Sequence, residues 1–363
     1  MFKISFCTAI KNRLHHLKLT LPQNITNNED YDRLQFIILD YNSTDGLEKW
    51  VKSKLKKHIE SGKLIYYRYP KSAFFHRSHS RNIAFKLADG DIVCNIDADN
   101  ITNKGFAAFV NQTFEQNNNI FLTPGSGDLG LKPDFMGRIC CQKNDFNIIG
   151  GYDESMEGYG FEDHDLTNRL EALGRVKTGI PPKFLNAIFH DDFERVSEER
   201  IYKMLHGLYL SHVTPRRSDV IFLLNNGTYL YGTIIDRTTI KSADLKVAFQ
   251  PQRNGHHYTL KNADWMCGEW AEGENGIVFS KLNKDRSGVA YKKFNSDTIG
   301  NATKRYHKVI NQELITNLIL FQSQFKNRTK MKNNLLNKIS ITSDSFDQDI
   351  VFKNFDNDCN VNV

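Results

Sequence analysis

The chain has 363 residues, of which 40% are hydrophobic and 25% are charged, and its formal net charge at pH 7 is +6. This composition is typical of a soluble globular protein, and the length predicts two or more domains. No run approaches the ~20 apolar residues of a membrane span. The net charge is modest, and neither a concentrated basic face nor a known nucleic-acid-binding module is evident in the sequence.

The first 212 residues alternate strand-like and helix-like segments. Apolar strand patterns lie at residues 3–8, 34–39, 63–67 and 91–96, and helical patterns lie between them at 13–21, 47–59 and 78–87. Alternation of this kind predicts an α/β domain, with a mostly parallel sheet covered by helices on both faces. Asp40 and Asp97-Ala98-Asp99 follow two of these strands, at the sheet edge where such folds bind ligands.

The remainder of the chain has a different pattern of predicted secondary structure. Short strand patterns at residues 220–224, 228–235, 245–249, 257–260 and 276–280 predict a small antiparallel β module at 213–300, with a hairpin turn at Asn225-Asn226-Gly227. Residues 301–363 are predicted to form a C-terminal helical segment, with one or two helices near 310–325. A loosely ordered, Asp- and Asn-rich tail is expected from residue 340.

Three acidic or imidazole-bearing segments carry the candidate chemistry. Asp97 and Asp99 follow the buried strand pattern Ile-Val-Cys-Asn-Ile, where carboxylates can hold a divalent cation against phosphates; a surface turn is the alternative. His190 follows an apolar approach and two prolines, and it is either a further ligand or an ordinary polar residue.

Residues 158–165 read Gly-Tyr-Gly-Phe-Glu-Asp-His-Asp and precede an apolar stripe, which predicts a helix that starts near Glu162. The acidic residues alone could be those commonly found at a helix N-terminus, where the helix dipole favours negative charge. That interpretation does not explain the two glycines around Tyr159. Such a turn leaves one ring free to stack on a sugar. Glu162 and Asp163 point about 100° apart on the helix, so one can orient a hydroxyl while the other removes its proton.

In combination these motifs resemble the nucleotide-sugar glycosyltransferases of GT-A fold in the family 2-like group. They are more closely similar to the β-1,4-galactosyltransferase and bacterial chondroitin-polymerase branch. The resemblance covers residues 1 to about 200 and rests on the order of its motifs: Thr8-Ala9-Ile10-Lys11-Asn12-Arg13, Asp40-Tyr41-Asn42-Ser43-Thr44-Asp45, Ser80-Arg81-Asn82, Ile96-Asp97-Ala98-Asp99, Gly150-Gly151-Tyr152-Asp153, the segment 158–165, and His190. Two positions depart from the family, which usually has Trp at Tyr159 and often Gly at Phe161.

The resemblance implies a role for each site residue. Thr8, Ala9, Arg13 and Asp40 would hold the uridine, and Arg81 would face the diphosphate or donor sugar, with Asp97 and Ala98 at the donor. Asp97, Asp99 and His190 would ligate the metal. Asp163 would be the catalytic base, with Glu162, Tyr159 and Gly160 binding the acceptor sugar.

The implied activity is an inverting transfer from a UDP-sugar to a glycan or lipid-linked glycan in bacterial surface polysaccharide synthesis, such as capsule or O-antigen. A mixed carboxylate and imidazole site suits Mn²⁺ better than Ca²⁺, with Mg²⁺ as a second choice. The helix dipole is expected to keep Asp163 ionised near neutrality. A related retaining group has Glu-Asn where this chain has Glu162-Asp163, so the aspartate favours inversion.

Two alternatives remain open at this stage: a retaining transferase of the same fold, and a catalytically weak, lectin-like protein that binds sugars through Trp265, Trp270, Tyr258 and His257. Six cysteines without Cys-x-x-Cys pairs, and a strand pattern from residue 2 with no signal peptide, predict a cytoplasmic protein. The segment near 310–325 could contact the inner face of the plasma membrane, pack internally or join a homo-oligomer.

Overall fold

The computed structural model describes residues 1–125, 135–214, 216–236, 258–260, 265–280, 288–337 and 349–363. The predicted strand at 245–249 and residue His257 lie outside the described residues. The chain divides into two compact units. The first contains Met1–Glu157, Phe161–His190 and Lys330–Val363, and the second contains Gly158–Gly160 and Asp191–Thr329. The predicted boundaries at residues 212 and 300 stay a prediction.

The first 190 residues alternate strands and helices, as predicted. The strands are β1 (Ile4–Ile10), β2 (Leu34–Asp40), β3 (Leu64–Arg68), β4 (Ile92–Asn95), β5 (Asn100–Ile101), β6 (Ile120–Pro124), β7 (Cys140–Gln142), β8 (Val176–Ile180) and β9 (Asn186–Ala187). The helices are α1 (Leu14–Asn27), α2 (Leu47–Lys54), α3 (Lys56–Glu60), α4 (Arg77–Leu87), α5 (Phe106–Gln116), α6 (Lys143–Ile148) and α7 (Glu162–Ala172), with a 3₁₀-helix at Pro182–Phe184.

The later elements are mainly strands. They comprise α8 (Asp192–Val196), α9 (Arg200–Lys203), β10 (Leu205–Thr214), β11 (Arg217–Leu224), β12 (Thr228–Asp236), β13 (Tyr258–Leu260), β14 (Met266–Gly273), β15 (Gly276–Ser280), β16 (Val289–Asn295), β17 (Thr298–Gly300), β18 (Arg305–Lys308), α10 (Gln312–Asn337), β19 (Ile350–Lys353) and β20 (Asp356–Asn362).

The first unit is built on a nine-stranded mixed sheet in the order β20-β19-β3-β2-β1-β4-β7-β6-β8. Its centre, β3-β2-β1-β4, is parallel. Both faces of this centre are buried: Phe36 and Ile38 of β2 join one apolar cluster, whereas Ile37 and Leu39 join the other. Successive residues of a strand point to opposite faces, so helices cover both sides. The predicted α/β fold class is confirmed, and the carboxyl ends of β2 and β4 lie at the same edge.

Residues 349–363 of the C-terminal tail differ from their expectation, and residues 340–348 lie outside the described residues. Instead of being loosely ordered, β19 and β20 form an antiparallel hairpin, and β19 pairs with β3 at the edge of the sheet. The hairpin forms because an edge strand offers unpaired backbone groups whatever the polarity of the added side chains. Val351 supplies the apolar contact, and it is fully buried in the core of the first unit.

The second unit contains an antiparallel sheet that closes on itself. Strands β11, β10, β18, β17, β16, β15, β14 and β12 follow one another, β11 pairs again with β12, and β13 is added beside β12. The predicted turn at 225–227 joins β11 to β12. Alternate residues of β11 face the two sides: Ile221 and Leu223 pack with Tyr229, whereas Val220 and Phe222 pack with α10.

Four of the residues that suggested membrane contact or sugar binding are used in packing, whereas the side chains of His257 and Tyr258 lie outside the described part. Leu318 and Phe321 of α10 are buried against the strands of the second unit. Trp265 packs edge-on to Phe222, and Trp270 packs beside His206. In the described part of the chain, no helix is both long and apolar enough to cross a bilayer.

Candidate active site

Arg81 gathers three carboxylates from two separate segments of the first unit. Its Nη1 donates to Oδ1 of Asp163 at 2.8 Å and to Oε1 of Glu162 at 3.2 Å, and its Nη2 donates to Oδ1 of Asp97 at 3.0 Å. The guanidinium side chain is only 8% exposed. Charge-assisted hydrogen bonds of this kind are stronger than neutral ones. The structure therefore brings Asp97, Glu162 and Asp163 to one buried guanidinium group, that of Arg81.

The local sequence explains why α7 presents its acids here. Leu166 and Leu170 bury one face of the helix in the core. In the first turn of the helix, Oδ2 of Asp165 lies 2.8 Å from Nη2 of Arg169, and Oδ1 of Asp165 accepts from Nδ2 of Asn334 at 2.9 Å. The helix is therefore fixed in rotation, and its first residues, Glu162 and Asp163, point to Arg81.

The carboxylates differ in their proton affinity. Burial raises the pKa of Asp163 to about 7, because the loss of water outweighs the attraction of Arg81. Burial also acts on Asp97, but Arg81 and a hydrogen bond from Asn95 prevail and lower the pKa of that carboxyl group. The helix dipole was expected to keep Asp163 ionised near neutrality, whereas desolvation is the larger effect and raises the pKa of this carboxyl group towards neutrality.

Glu162 keeps one oxygen for a further donor. Its side chain is almost fully buried, and one carboxylate oxygen, Oε1, accepts from Arg81. Within the described residues, no hydrogen-bond donor reaches the other oxygen, Oε2. A buried acceptor atom without a partner is costly. A ligand hydroxyl that donated to Oε2 would remove that cost, as expected for a residue that orients an acceptor sugar.

Gly137 is a site residue that the sequence analysis missed. A Cβ atom there would lie 2.9 Å from Nη2 of Arg81, 2.9 Å from Oδ2 of Asp97 and 3.1 Å from Oδ2 of Asp163. Its carbonyl oxygen accepts from Nδ2 of Asn95, which also donates to Asp97. A larger residue at this position would push against the ends of the Arg81, Asp97 and Asp163 side chains, and no local pattern in the sequence indicates this.

Asp99 and His190 form a second group in the first unit. β5 pairs with β9, and the backbone N–H of Ile188 donates to the carbonyl oxygen of Asp99 at 2.8 Å. Oδ2 of Asp99 and Nε2 of His190 lie 3.3 Å apart. Two ligands that each bind a metal at about 2.1 Å are separated by about 3.0–3.4 Å, so this pair fits one divalent cation. Oδ1 of Asp99 is held by Asn100.

The two acids of the Asp97-Ala98-Asp99 segment are thus used differently. Oδ1 of Asp97 accepts from Arg81 and Asn95, whereas Asp99 faces His190. The prediction that Asp97 is also a metal ligand stays a prediction. His16 of α1 is a neighbour that the sequence did not indicate, with its ring centroid 5.5 Å from that of His190.

Arg138 supports the strands that carry this pair, and it too was missed. It is fully buried, and it donates to Oδ1 of Asn100 at 2.9 Å and to the carbonyl oxygens of Ile101 and Phe184. Burial lowers the pKa of Arg138 to about 10. The arginine joins β5 to the segment before β9, which fixes the spacing between Asp99 and His190.

The residues predicted to hold the nucleotide lie on or beside β1, β2 and β4. Thr8 donates from Oγ1 to the carbonyl oxygen of Ile96, and Ala9 pairs with Leu39 in the sheet. Asp40, Arg13 and Ala98 complete this set. Asp40 ends β2 and is 1% exposed, Arg13 precedes α1 and is half-buried, and the carbonyl oxygen of Ala98 accepts from Thr20. Their contacts with a nucleotide stay predictions.

Tyr159 and Gly160 belong to the second unit. The hydroxyl of Tyr159 accepts from Nη1 of Arg195 at 2.8 Å, and the guanidinium carbon lies 5.4 Å from the ring centroid. Gly160 has a φ of +99°, and its carbonyl oxygen accepts from Asn327. The prediction that both residues bind the acceptor sugar stays a prediction.

Comparison with known families gives two adjacent matches. Residues 5–132 match the model of glycosyl transferase family 2, and residues 131–205 match the model described as the N-terminal domain of galactosyltransferase. Together they cover more than half of the chain and include all the residues of the carboxylate cluster and the Asp99–His190 pair. Residues 5–205 therefore match glycosyltransferase families throughout, and this part of the chain is a family 2-like glycosyltransferase domain. No curated protein matches it.

Solved glycosyltransferase structures resemble the chain at low identity. A mannosyltransferase from Pyrobaculum calidifontis, in complex with GDP-Man and Mn²⁺, is 17% identical over 56% of this chain and 64% of its own, with a TM-score of 0.44. TarS of S. aureus is 15% identical over 50% and 59%, with a TM-score of 0.41. GalNAc-T7 with UDP, GalNAc and Mn²⁺ is 15% identical over 52% and 44%, with a TM-score of 0.44. The chain spans less than two thirds of each of these structures.

Proposed function

We propose that this family member is a metal-dependent inverting glycosyltransferase that moves a sugar from a UDP-sugar to a hydroxyl of a glycan or lipid-linked glycan. Synthesis of a bacterial surface polysaccharide, such as capsule or O-antigen, is the process proposed for it. The observation that carries the proposal is the gathering of Asp97, Glu162 and Asp163 on Arg81. Acids from two segments that share one buried guanidinium are suited to catalysis rather than to surface charge.

Asp163 is the proposed base. Its pKa of about 7 matches the working pH of a group that must take a proton from a hydroxyl and later release it. Arg81 holds Oδ1 of Asp163, and Gly137 leaves space beside Oδ2. Glu162 would orient the same acceptor through Oε2. The attacking oxygen and the proton acceptor are then held in one geometry before reaction, which lowers the entropic part of the barrier.

Asp99 and His190 are the proposed metal ligands, because their separation and their mixed oxygen and nitrogen atoms fit Mn²⁺, with Mg²⁺ as the second choice. When bound, the cation would neutralise charge on the departing diphosphate. Arg138 contributes by fixing the strands that carry both ligands.

Inversion is proposed because an aspartate, not an amide, stands at position 163 and can act as a base on the acceptor hydroxyl. The attacking oxygen then enters opposite the leaving diphosphate in a single displacement. A retaining transferase would instead give product with the anomeric configuration of the donor. The configuration of the product, read by NMR from the anomeric coupling constant, distinguishes the two.

The deciding experiment measures released UDP from a panel of UDP-sugars and glycan acceptors with Mn²⁺ present. We expect Asp163→Asn to reduce turnover by at least about 10³-fold, because the amide cannot accept the proton. Glu171→Gln is the matched control, since Glu171 is an exposed acid on the same helix. Unchanged turnover in Asp163→Asn would remove the proposed base.

The cellular setting is proposed with the activity. The cysteines are free thiols, as is usual in a reducing compartment, so a cytoplasmic enzyme is proposed, with peripheral contact at the inner membrane surface or homo-oligomer formation as further possibilities to test. The burial of Leu318 and Phe321 weakens the case for α10 as a membrane anchor. Co-sedimentation with anionic liposomes tests this point: recovery of the protein in the pellet would support membrane contact.

A further inference from the structure

The C-terminal hairpin of β19 and β20 lies beside β3, and its contacts lead through β3 and α4 to the end of β2, where the nucleotide is proposed to bind. β19 extends the sheet beside β3, with Phe352 opposite Arg68 and Lys353 opposite Tyr67. From the two ends of β19, separate chains of contacts run inwards. Both end at adjacent residues of the first unit, Asp40 and Tyr41.

The first chain of contacts starts at the turn of the hairpin. The ring of Phe355 stacks on the ring of Tyr66, with centroids 4.8 Å apart and an interplanar angle of 24°. Asn354 fixes the same residue, because its backbone N–H donates to the carbonyl oxygen of Tyr66 and its Oδ1 accepts from the backbone N–H of Tyr66. The Tyr66 hydroxyl in turn donates to Oδ2 of Asp40 at 2.6 Å. Phe355 therefore determines where the Tyr66 hydroxyl holds the Asp40 carboxylate.

The second chain of contacts starts at the residue before β19. The two oxygens of Asp349 accept from the hydroxyl of Tyr69 at 2.9 Å and from Nε2 of His79 at 2.7 Å. With its proton on Nε2, His79 can accept at Nδ1 from the hydroxyl of Tyr41, 2.7 Å away. The rings of Tyr41 and Tyr69 stack with centroids 5.0 Å apart. A carboxylate in the tail thus fixes the histidine tautomer and the ring of Tyr41.

Both chains of contacts converge on a rigid strand end. Asp40 is almost fully buried, and its second oxygen accepts from the backbone N–H of Ser43 at 2.6 Å. The carbonyl oxygen of Tyr41 accepts from Nζ of Lys11 at 3.1 Å. A small displacement of Tyr66 or His79 would therefore shift Asp40 or Tyr41, because close-packed interiors transmit strain.

We propose that residues 349–363 are a functional part of the donor site, with Phe355 and Asp349 as positioning residues for the nucleotide-binding end of β2. The inference rests on the proposed function, in which Asp40 contacts the nucleotide. The hairpin touches no reacting atom. It acts by holding Tyr66 and His79, and through them Asp40 and Tyr41.

The test measures UDP affinity of the full chain by isothermal titration calorimetry with Mn²⁺, together with donor KM and kcat. We expect Phe355→Ala and Asp349→Asn each to weaken UDP binding and raise donor KM by about tenfold, with a smaller change in kcat, as expected when ground-state binding is lost. Phe355→Tyr, which keeps the ring, and Asp349→Glu, which keeps the charge, should restore most of the affinity. Phe294→Ala, which removes an exposed ring outside the hairpin, is the control.

A double-mutant cycle separates positioning from general destabilisation. If Phe355 acts through Asp40, the effects of Phe355→Ala and Asp40→Asn on UDP affinity should be strongly non-additive. Additive effects, or UDP affinities within twofold of the unaltered protein accompanied only by lower thermal stability, would overturn the inference and leave the proposed function intact. Absence of UDP binding by the unaltered protein would overturn both.

Discussion

Replacement of Gly137 by alanine is expected to disable the site with a single methyl group. The added Cβ would lie 2.9 Å from Nη2 of Arg81 and 2.9 Å from Oδ2 of Asp97. Favourable contacts of a carbon atom with heavy atoms lie near 3.5 Å, so these groups must move apart by about half an ångström. Arg81 can yield only at the expense of these hydrogen bonds, since its Nη1 holds Asp163 and its Nη2 holds Asp97.

The size of the effect follows from the bonds at risk. Each charge-assisted hydrogen bond of Arg81 contributes about 1.5–3 kcal/mol, and a misplacement of about 1 Å in catalytic groups can cost about 10²-fold in rate. We therefore expect kcat of Gly137→Ala to fall about 10²-fold. The fall in thermal stability should be modest, because the strands themselves are not disturbed.

The assay is initial-rate release of UDP at saturating donor, with thermal unfolding measured on the same samples. Gly179→Ala is the matched control, because the nearest atom to an added Cβ at this exposed strand position is 3.9 Å away. The control should retain activity within twofold. A Gly137→Ala protein with the kcat and KM of the unaltered protein would refute the reasoning that the cluster tolerates no displacement.

Three further predictions concern stability. His76 caps α4 by accepting at Nδ1 from the backbone N–H of His79, and burial lowers the pKa of His76 to about 4. This folded pKa lies below the unfolded value of about 6.5. The stability that depends on neutral His76 is therefore fully present above pH 6.5 and is lost as the pH falls towards 4. Urea unfolding at pH 7.5 and 4.5 should show this loss, about 2 kcal/mol, diminished in His76→Asn. Phe161 has a φ of +72°, so Phe161→Gly should exceed Phe161→Ala in unfolding free energy by about 1 kcal/mol; equal values would contradict the strain argument. Arg138→Met should lower the unfolding free energy by about 3 kcal/mol or more, since buried carbonyl acceptors lose their donor, and a change below 1 kcal/mol in urea unfolding would show that these bonds matter little.

Much of the fold was predictable because local patterns and tertiary structure agree. The nearly unbroken apolar run before Asp40 is a strand buried on both faces, and the stripe of Leu166 and Leu170 is the buried face of α7. The break between α2 and α3 at Leu55, inside a segment predicted as one helix, was not visible. Leu55 is buried, and its φ of −115° lies outside the helical range. The sequence pattern gives no sign of this break.

The parts of the site that depend on distant segments were harder to infer. The sequence singled out the acids that the structure brings to Arg81 and His190, but it could not divide Asp97 and Asp99 between these two partners, because that depends on where β9 lies. Gly137 has its role only because Arg81 and α7 lie against it. The hairpin of the tail was missed because its pairing is made by backbone groups at the edge of β3, while its Asp- and Asn-rich composition suggested disorder.

The central claim is that Asp99 and His190 hold one cation on the same unit as the Arg81 carboxylate cluster. Crystals grown with Mn²⁺ and UDP, and measured near the manganese absorption edge, test it most directly. We expect one anomalous peak bonded to Oδ2 of Asp99 and Nε2 of His190, with the diphosphate of UDP as a further ligand. A peak bonded to neither residue, with UDP bound elsewhere, would contradict it.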